Sequence, residues 1–255
     1  RYYHPSNSYI YLYGAMDIEE KLAYLDAEYL SAFERIEPNS AIERQKPLAG
    51  MAKIEEAYSI GAGESAEEKT LLALSWLMGE AVAAEELLAL SVLQHALLQT
   101  EAAPLKKALM DAKIGKDVGA SFEDAVLQPY MSIVVNGSEP ERAETLLAVT
   151  EDTLRRLVEE GIDKTLLEAS INLIEFKMRE ADFGTYPKGL VYNIKIMNSW
   201  LYDADPALYL YYEELFQKMR EGLKGRYFEE VLEKYLVKNA HRSLVVLKPS
   251  RTLSS

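Results

Sequence analysis

From Pro140 to about Val237 the sequence reads as one helix after another, and a single strand follows at His241–Leu247. A lone strand after so much helix carries unpaired N–H and C=O groups on both edges, so it must return to strands laid down earlier in the chain. The first half must therefore supply a sheet, and the helices of the second half must cover it.

Three earlier segments qualify as strands. Glu56–Ile60 and Thr70–Met78 are joined by Gly61-Ala62-Gly63-Glu64-Ser65 and an acidic turn, while Tyr130–Val135 is β-branched and ends at Asn136-Gly137. Between the second and third lies a long helical pattern from about Ala84 to Met110. Pro104 splits it, because proline lacks the amide donor and clashes with the preceding turn. Gly115 and Gly119 mark an irregular or hairpin region.

Pro140 opens a helix to about Glu160 that Gly161 closes, and Asp163 caps another to about Ala181. Shorter helices are predicted over Pro187–Tyr202, Pro206–Gly222 and Tyr227–Val237, and Pro249 should stop the last strand. Short turns between strands and long helical excursions imply an α+β class: a mostly antiparallel sheet covered by helices on one face.

Ahead of this unit, Ser8–Gly14 is β-prone, and Asp17 caps a helix through about Phe33. Leu22, Leu25, Tyr29 and Phe33 recur at helical spacing and predict one buried face. One strand and one helix cannot close a core in roughly 35 residues, so residues 1–35 read as the tail of a preceding domain. Residues 36–52 read as a linker punctuated by Pro38, Pro47 and Gly50, residues 53–249 as the main domain, and 250–255 as the start of a further linker. The chain opens without an initiating Met and without an apolar leader, so it looks cut from something longer and its compartment is not legible there. The absence of cysteine favours a reducing compartment, the cytoplasm of a bacterial parent.

The residue types restrict the chemistry. His4, His95 and His241 are the only histidines and no cysteine exists, so neither of the paired-histidine zinc motifs can form within this chain. The nucleophile elbow is missing too. Gly61-Ala62-Gly63 leads into a strand rather than a helix, which makes it a turn and not a dinucleotide fingerprint. Adjacent carboxylates such as Glu19/Glu20, Glu67/Glu68 and Glu159/Glu160 point in different directions on a helix and read as solvated faces. A formal charge of −13 repels nucleic acid and anionic lipid and would favour cationic peptides, though solubility is the better reading of its cause, and no apolar run is long enough to span a bilayer. Seventeen tyrosines, with Tyr202, Tyr209, Tyr211 and Tyr212 beside Trp200, suit either a core or a peptide-gripping surface, core being the better reading.

Several stretches resemble the insulinase–pitrilysin zinc peptidases, and within them the presequence-protease subfamily. Tyr2-Tyr3-His4-Pro5-Ser6-Asn7, followed by an apolar strand and Gly14, looks like the strand that closes such an enzyme's catalytic domain. Pro104-Leu105-Lys106-Lys107-Ala108-Leu109 with Ile114-Gly115-Lys116-Asp117-Val118 is similar to the subfamily. So are Ser199-Trp200-Leu201-Tyr202 with Asp205-Pro206, and Lys234-Tyr235-Leu236 with Asn239-Ala240-His241-Arg242.

The resemblance implies four homologous α+β domains closing around a chamber, with zinc held by the first and not by the second. Residues 1–35 would then end the catalytic domain, and 53–249 would be the non-catalytic second domain. No catalytic or metal residue is carried onto this chain; the cofactor of the full-length protein would be Zn2+. Its partners would be the remaining domains of the same polypeptide and short unstructured peptides. Tyr130, Phe183 and Leu190 are the candidate substrate-binding residues, apolar positions at interruptions of the pattern. The competing reading is an inert scaffold of the same fold, and an independent hydrolase is a third.

Overall fold

The computed structural model describes residues 3–100, 102–180 and 184–253. Five strands, β1 (Ala52–Ser59), β2 (Thr70–Leu77), β3 (Asp117–Glu123), β4 (Tyr130–Ser138) and β5 (Arg242–Ser250), form one sheet in the order β1-β5-β2-β4-β3. Only the β1–β5 pair is parallel. The final strand thus inserts between β1 and β2, and the predicted α+β class with a mostly antiparallel sheet holds.

Strand register decides which face is buried, because side chains alternate with a period of two. Leu72, Leu74 and Trp76 of β2 align with Val135, Ile133 and Met131 of β4, and Leu72 and Leu74 also face Val246 and Leu244 of β5. All of these are buried. Against them pack α2 (Ala84–Gln94), α3 (Pro104–Asp111), α4 (Ala143–Glu160), α5 (Lys164–Glu180), α7 (Glu213–Gly222) and α8 (Tyr227–Leu232). Leu90, Leu93, Phe216 and Phe228 are almost wholly removed from water, and each such side chain contributes on the order of 2 kcal/mol of transfer free energy. Ion pairs fasten the outer helices to α2: Lys218 Nζ lies 2.7 Å from Glu85 and Lys234 Nζ 2.6 Å from Glu86.

Pro104 falls at the first position of α3, after a wide π turn over His95–Gln99, so the long helix breaks where proline demands it. Gly161 closes α4 with φ +98°, a conformation that L side chains rarely adopt. Several boundaries differ from the sequence reading. The glycine-marked region around Gly119 is a full strand, β3, and β1 starts at Ala52 rather than Glu56. Residues 206–210 are turn, and the helix predicted from Pro206 begins only at Glu213. Pro249 does not stop β5: it pairs with Tyr58 of β1 beyond the last β2 partner, Leu247, so no ladder bond is asked of it on that side.

The strand predicted at Ser8–Gly14 does not form. The segment lies against α6 (Lys188–Trp200) instead, with the Tyr9 hydroxyl donating to the Trp200 carbonyl at 3.3 Å and the Tyr13 ring 5.9 Å from that of Tyr192. A strand needs a neighbour to satisfy its amides, and the sheet's edges lie elsewhere. The following helix, α1 (Ile18–Glu28), starts as predicted, with Asp17 Oδ1 accepting from the Glu20 amide at 3.0 Å. Its predicted buried face is a second correction. Leu22, Tyr29 and Phe33 stay exposed, and no residue of α1 is buried.

Candidate functional site

The sheet's other face remains half open. Residues of neighbouring strands that stand opposite one another project to the same side, so the register lays out this face in rows. One row is serine across four strands: Ser121, Ser132, Ser75 and Ser243. The hydroxyls of Ser75 and Ser132 lie 2.7 Å apart and satisfy one another. The next row, Gly119, Val134, Ala73, Val245 and Ile54, is small or β-branched. Small side chains make a shallow apolar floor, and Ile54 at one edge is 44% exposed.

A third row places Glu123, Tyr130 and Leu77 side by side. Tyr130 is 38% exposed, so its ring offers contact area beside the floor. Glu56, facing Leu247, puts a carboxylate at the β1 edge of the same face, opposite Glu123 at the β3 edge. The face can therefore bury apolar side chains between acidic rims.

The stretch preceding β1 runs along the same end of the sheet. Arg44 makes a two-pronged contact with Glu80, at 2.6 and 3.1 Å. Gln45 and Gln128 exchange hydrogen bonds through the Gln45 backbone, at 2.6 and 3.3 Å. These tie residues 44–45 to the loops that follow β2 and precede β4.

Of the three candidate residues, Tyr130 stands on this face, while Leu190 is 45% exposed on the outer helix α6, next to Gly189 and Tyr13. Phe183 lies outside the described residues. The serine row was missed in the sequence, because no spacing rule connects positions that only the register aligns.

The histidines stay apart. His4 Nδ1 accepts from the Ser6 amide at 3.1 Å, His95 Nδ1 shares a hydrogen bond with Ser170 Oγ at 2.9 Å, and His241 leads into β5. Burial holds the His95 imidazolium below its ordinary pKa, and the Lys177 charge adds to the effect. Among the described residues no three His, Asp or Glu side chains form a cluster able to hold a metal ion. The described residues therefore do not fit a zinc centre. The tyrosine-rich region divides. Tyr209 and Tyr212 pack against the core, with the Tyr209 hydroxyl donating to the Ala81 carbonyl, whereas Tyr211 is 69% exposed.

Residues 1–174 match the family described as the peptidase M16 inactive domain. HypA of Clostridium perfringens is 44% identical across all of this chain, which spans 26% of that protein. Presequence protease 1 of Arabidopsis thaliana is 35% identical over 98% of the chain and is covered to 24% of its length. The chain thus spans about a quarter of these relatives. Among solved structures, a conserved protein from Enterococcus faecalis superposes with a TM-score of 0.66 at 12% identity, over 92% of this chain and 50% of the other. The ferredoxin protease FusC, in complex with Arabidopsis ferredoxin, superposes with a TM-score of 0.65 at 18% identity, over 92% of this chain and 24% of that one.

Proposed function

This chain belongs to the peptidase M16 inactive-domain family, and from that membership we propose that it forms a wall of the substrate chamber in a larger zinc metalloendopeptidase that degrades short unstructured peptides. Zinc and the water it activates belong to another domain of the parent protein. That chemistry needs a ligand pair this sequence lacks. What this chain supplies is confinement, through the half-open sheet face and the apolar surface it presents to neighbouring domains.

The observation that carries the reading is the sheet itself. The central strands bury one face under helices, through Leu72, Leu74, Trp76, Ile133, Val135 and Leu244, while the other keeps an apolar floor, an exposed Tyr130 and acidic rims at Glu56 and Glu123. Such a surface suits extended peptides that carry basic and apolar residues. The exposed stripe Leu22, Tyr29 and Phe33 supports the division into a preceding-domain tail at 1–35, a linker at 36–52, a non-catalytic domain at 53–249 and an outgoing linker from 250. A stripe of that kind is an interface for the rest of the polypeptide.

The test has two arms. The isolated chain, incubated with an unstructured peptide with and without zinc, should show no turnover. In the parent enzyme, Tyr130→Ala should raise KM several-fold with kcat nearly unchanged, and Leu190→Ala should do the same. Turnover by the isolated chain, or unchanged kinetics in both variants, overturns the reading.

A further inference from the structure

The sheet sorts its charges by face. Lys53 and Arg242 stand in rows with the buried Leu244 and Trp76, and Lys248 lies two residues beyond the buried Val246, so all three strand cations point to the helical side. Each has a carboxylate there: Lys53 Nζ is 2.5 Å from Glu144, Arg242 is 2.7 Å from Glu151, and Lys248 pairs with Glu55. The open face holds the remaining strand charges, Glu56, Asp117 and Glu123, all of them exposed. No lysine or arginine of the five strands stands beside them, and among the described residues none of the three forms an ion pair.

Two of these carboxylates share one strand. Asp117 and Glu123 are the first and last residues of β3, six positions apart and therefore on one side, about 20 Å from each other at roughly 3.3 Å per residue. Between them the floor is low. Gly119 and Ser121 are the intervening residues on this face, flanked by Val134 and Ser132 of β4. Nothing lies within 4 Å of where a Cβ on Gly119 would stand. Tyr130 stands beside Glu123, so a cation placed there meets both a carboxylate and an aromatic ring. Asn136 stands beside Asp117 at the other end.

We propose that β3 and β4 bind an extended peptide laid face-down along them, two of its basic side chains, six positions apart, reaching Asp117 and Glu123, with small side chains between. An extended peptide repeats its facing side chains every second residue, the same period as the rows beneath it. A spacing of six keeps both cations on the underside, whereas a spacing of five turns one of them away. The inference rests on the chamber reading for its class of ligand and adds to it a rule of spacing.

Fluorescence anisotropy with the 255-residue chain tests it. The probe is a labelled alanine–threonine peptide carrying two lysines six positions apart, set against the same composition with the lysines five apart and against a six-apart glutamate version. At about 10 mM salt, where screening is weak, the six-apart lysine peptide should bind about fivefold tighter than the five-apart one, the equivalent of one exposed ion pair. The glutamate peptide should not bind. Asp117→Asn and Glu123→Gln should each remove the preference while leaving the five-apart peptide within about twofold of its affinity. Gly119→Trp should weaken both lysine peptides by filling the low floor; where that variant loses its fold, the two charge variants decide alone. Equal affinity for the two spacings, or a preference that survives both charge variants, overturns the inference. If Gly119→Trp still weakens both peptides in that case, the face holds peptide and the chamber reading stands without the rule of spacing. Binding of neither lysine peptide at about 1 mM also overturns the inference, and the Tyr130→Ala kinetics in the parent enzyme then decide the chamber reading.

Discussion

The indole nitrogen of Trp76 donates to the backbone carbonyl of Leu236 at 3.1 Å, joining the central strand to the end of the last helix. Leu236 lies in the wide π turn over Glu233–Val237 that follows α8, where terminal carbonyls lose their helical partners. The buried indole restores one of them. Trp76→Phe keeps most of the apolar volume but strands that carbonyl away from water. It should cost about 1–3 kcal/mol, read as a lower urea midpoint with an unchanged slope. An unshifted midpoint would show that the carbonyl finds another donor.

Glu175 is a nearly buried carboxylate on α5, held by Arg179 at 2.8 Å and by Arg220 of α7. Burial alone would raise its pKa. The two guanidiniums outweigh burial and hold it below the ordinary carboxylate value. A depressed native pKa contributes stability above the unfolded-state value, and that contribution disappears as pH falls toward the native one. The stability gap between the native chain and Glu175→Gln should therefore be widest at neutral pH and close below about pH 4. Arg220→Met leaves the carboxylate with one partner. Since Arg220 is 45% exposed, the loss should be modest, about 1–2 kcal/mol. A gap that is flat with pH would exclude the coupling.

A Cβ on Gly189 would lie 2.4 Å from Cδ1 of Tyr13, so the amino-terminal segment rests on a helix that has made room for its ring. Gly189→Leu should displace residues 9–13 while improving the helix propensity of α6 by up to about 1 kcal/mol. Amide exchange of the segment should speed up severalfold, and the thermal midpoint should stay nearly constant, because no residue of the segment is fully buried. Unchanged exchange would mean that the segment is held by something other than Tyr13.

Much of the architecture was legible because it rests on strong local signals. Proline at 104 and 140 and glycine at 161 sit at element ends, as their backbone restrictions require. The alternation of β2 was plain because one of its faces is wholly buried. The misses occurred where burial is weak. Edge strand β1 carries Lys53, Glu55 and Glu56 in water on both faces, and edge strand β3 buries only Val118 of its seven residues. Neither produces a hydrophobic period. The tyrosines of Ser8–Gly14 raised the opposite error: β propensity without a neighbouring strand forms no ladder. The open face was illegible for a different reason. Its serine row joins positions 75, 121, 132 and 243, which the sheet order alone brings side by side.

That same order sets a schedule for synthesis. β1 ends at Ser59, and its one neighbour in the sheet, β5, begins at Arg242 about 180 residues later. At cellular translation speeds this is a wait of roughly ten to forty seconds. Throughout it the ribosome has yet to emit the strand that bridges β1 to β2. A half-made chain can pair β2, β3 and β4, yet their shared edge stays unzipped until the end, open to chaperones or to a neighbouring nascent copy.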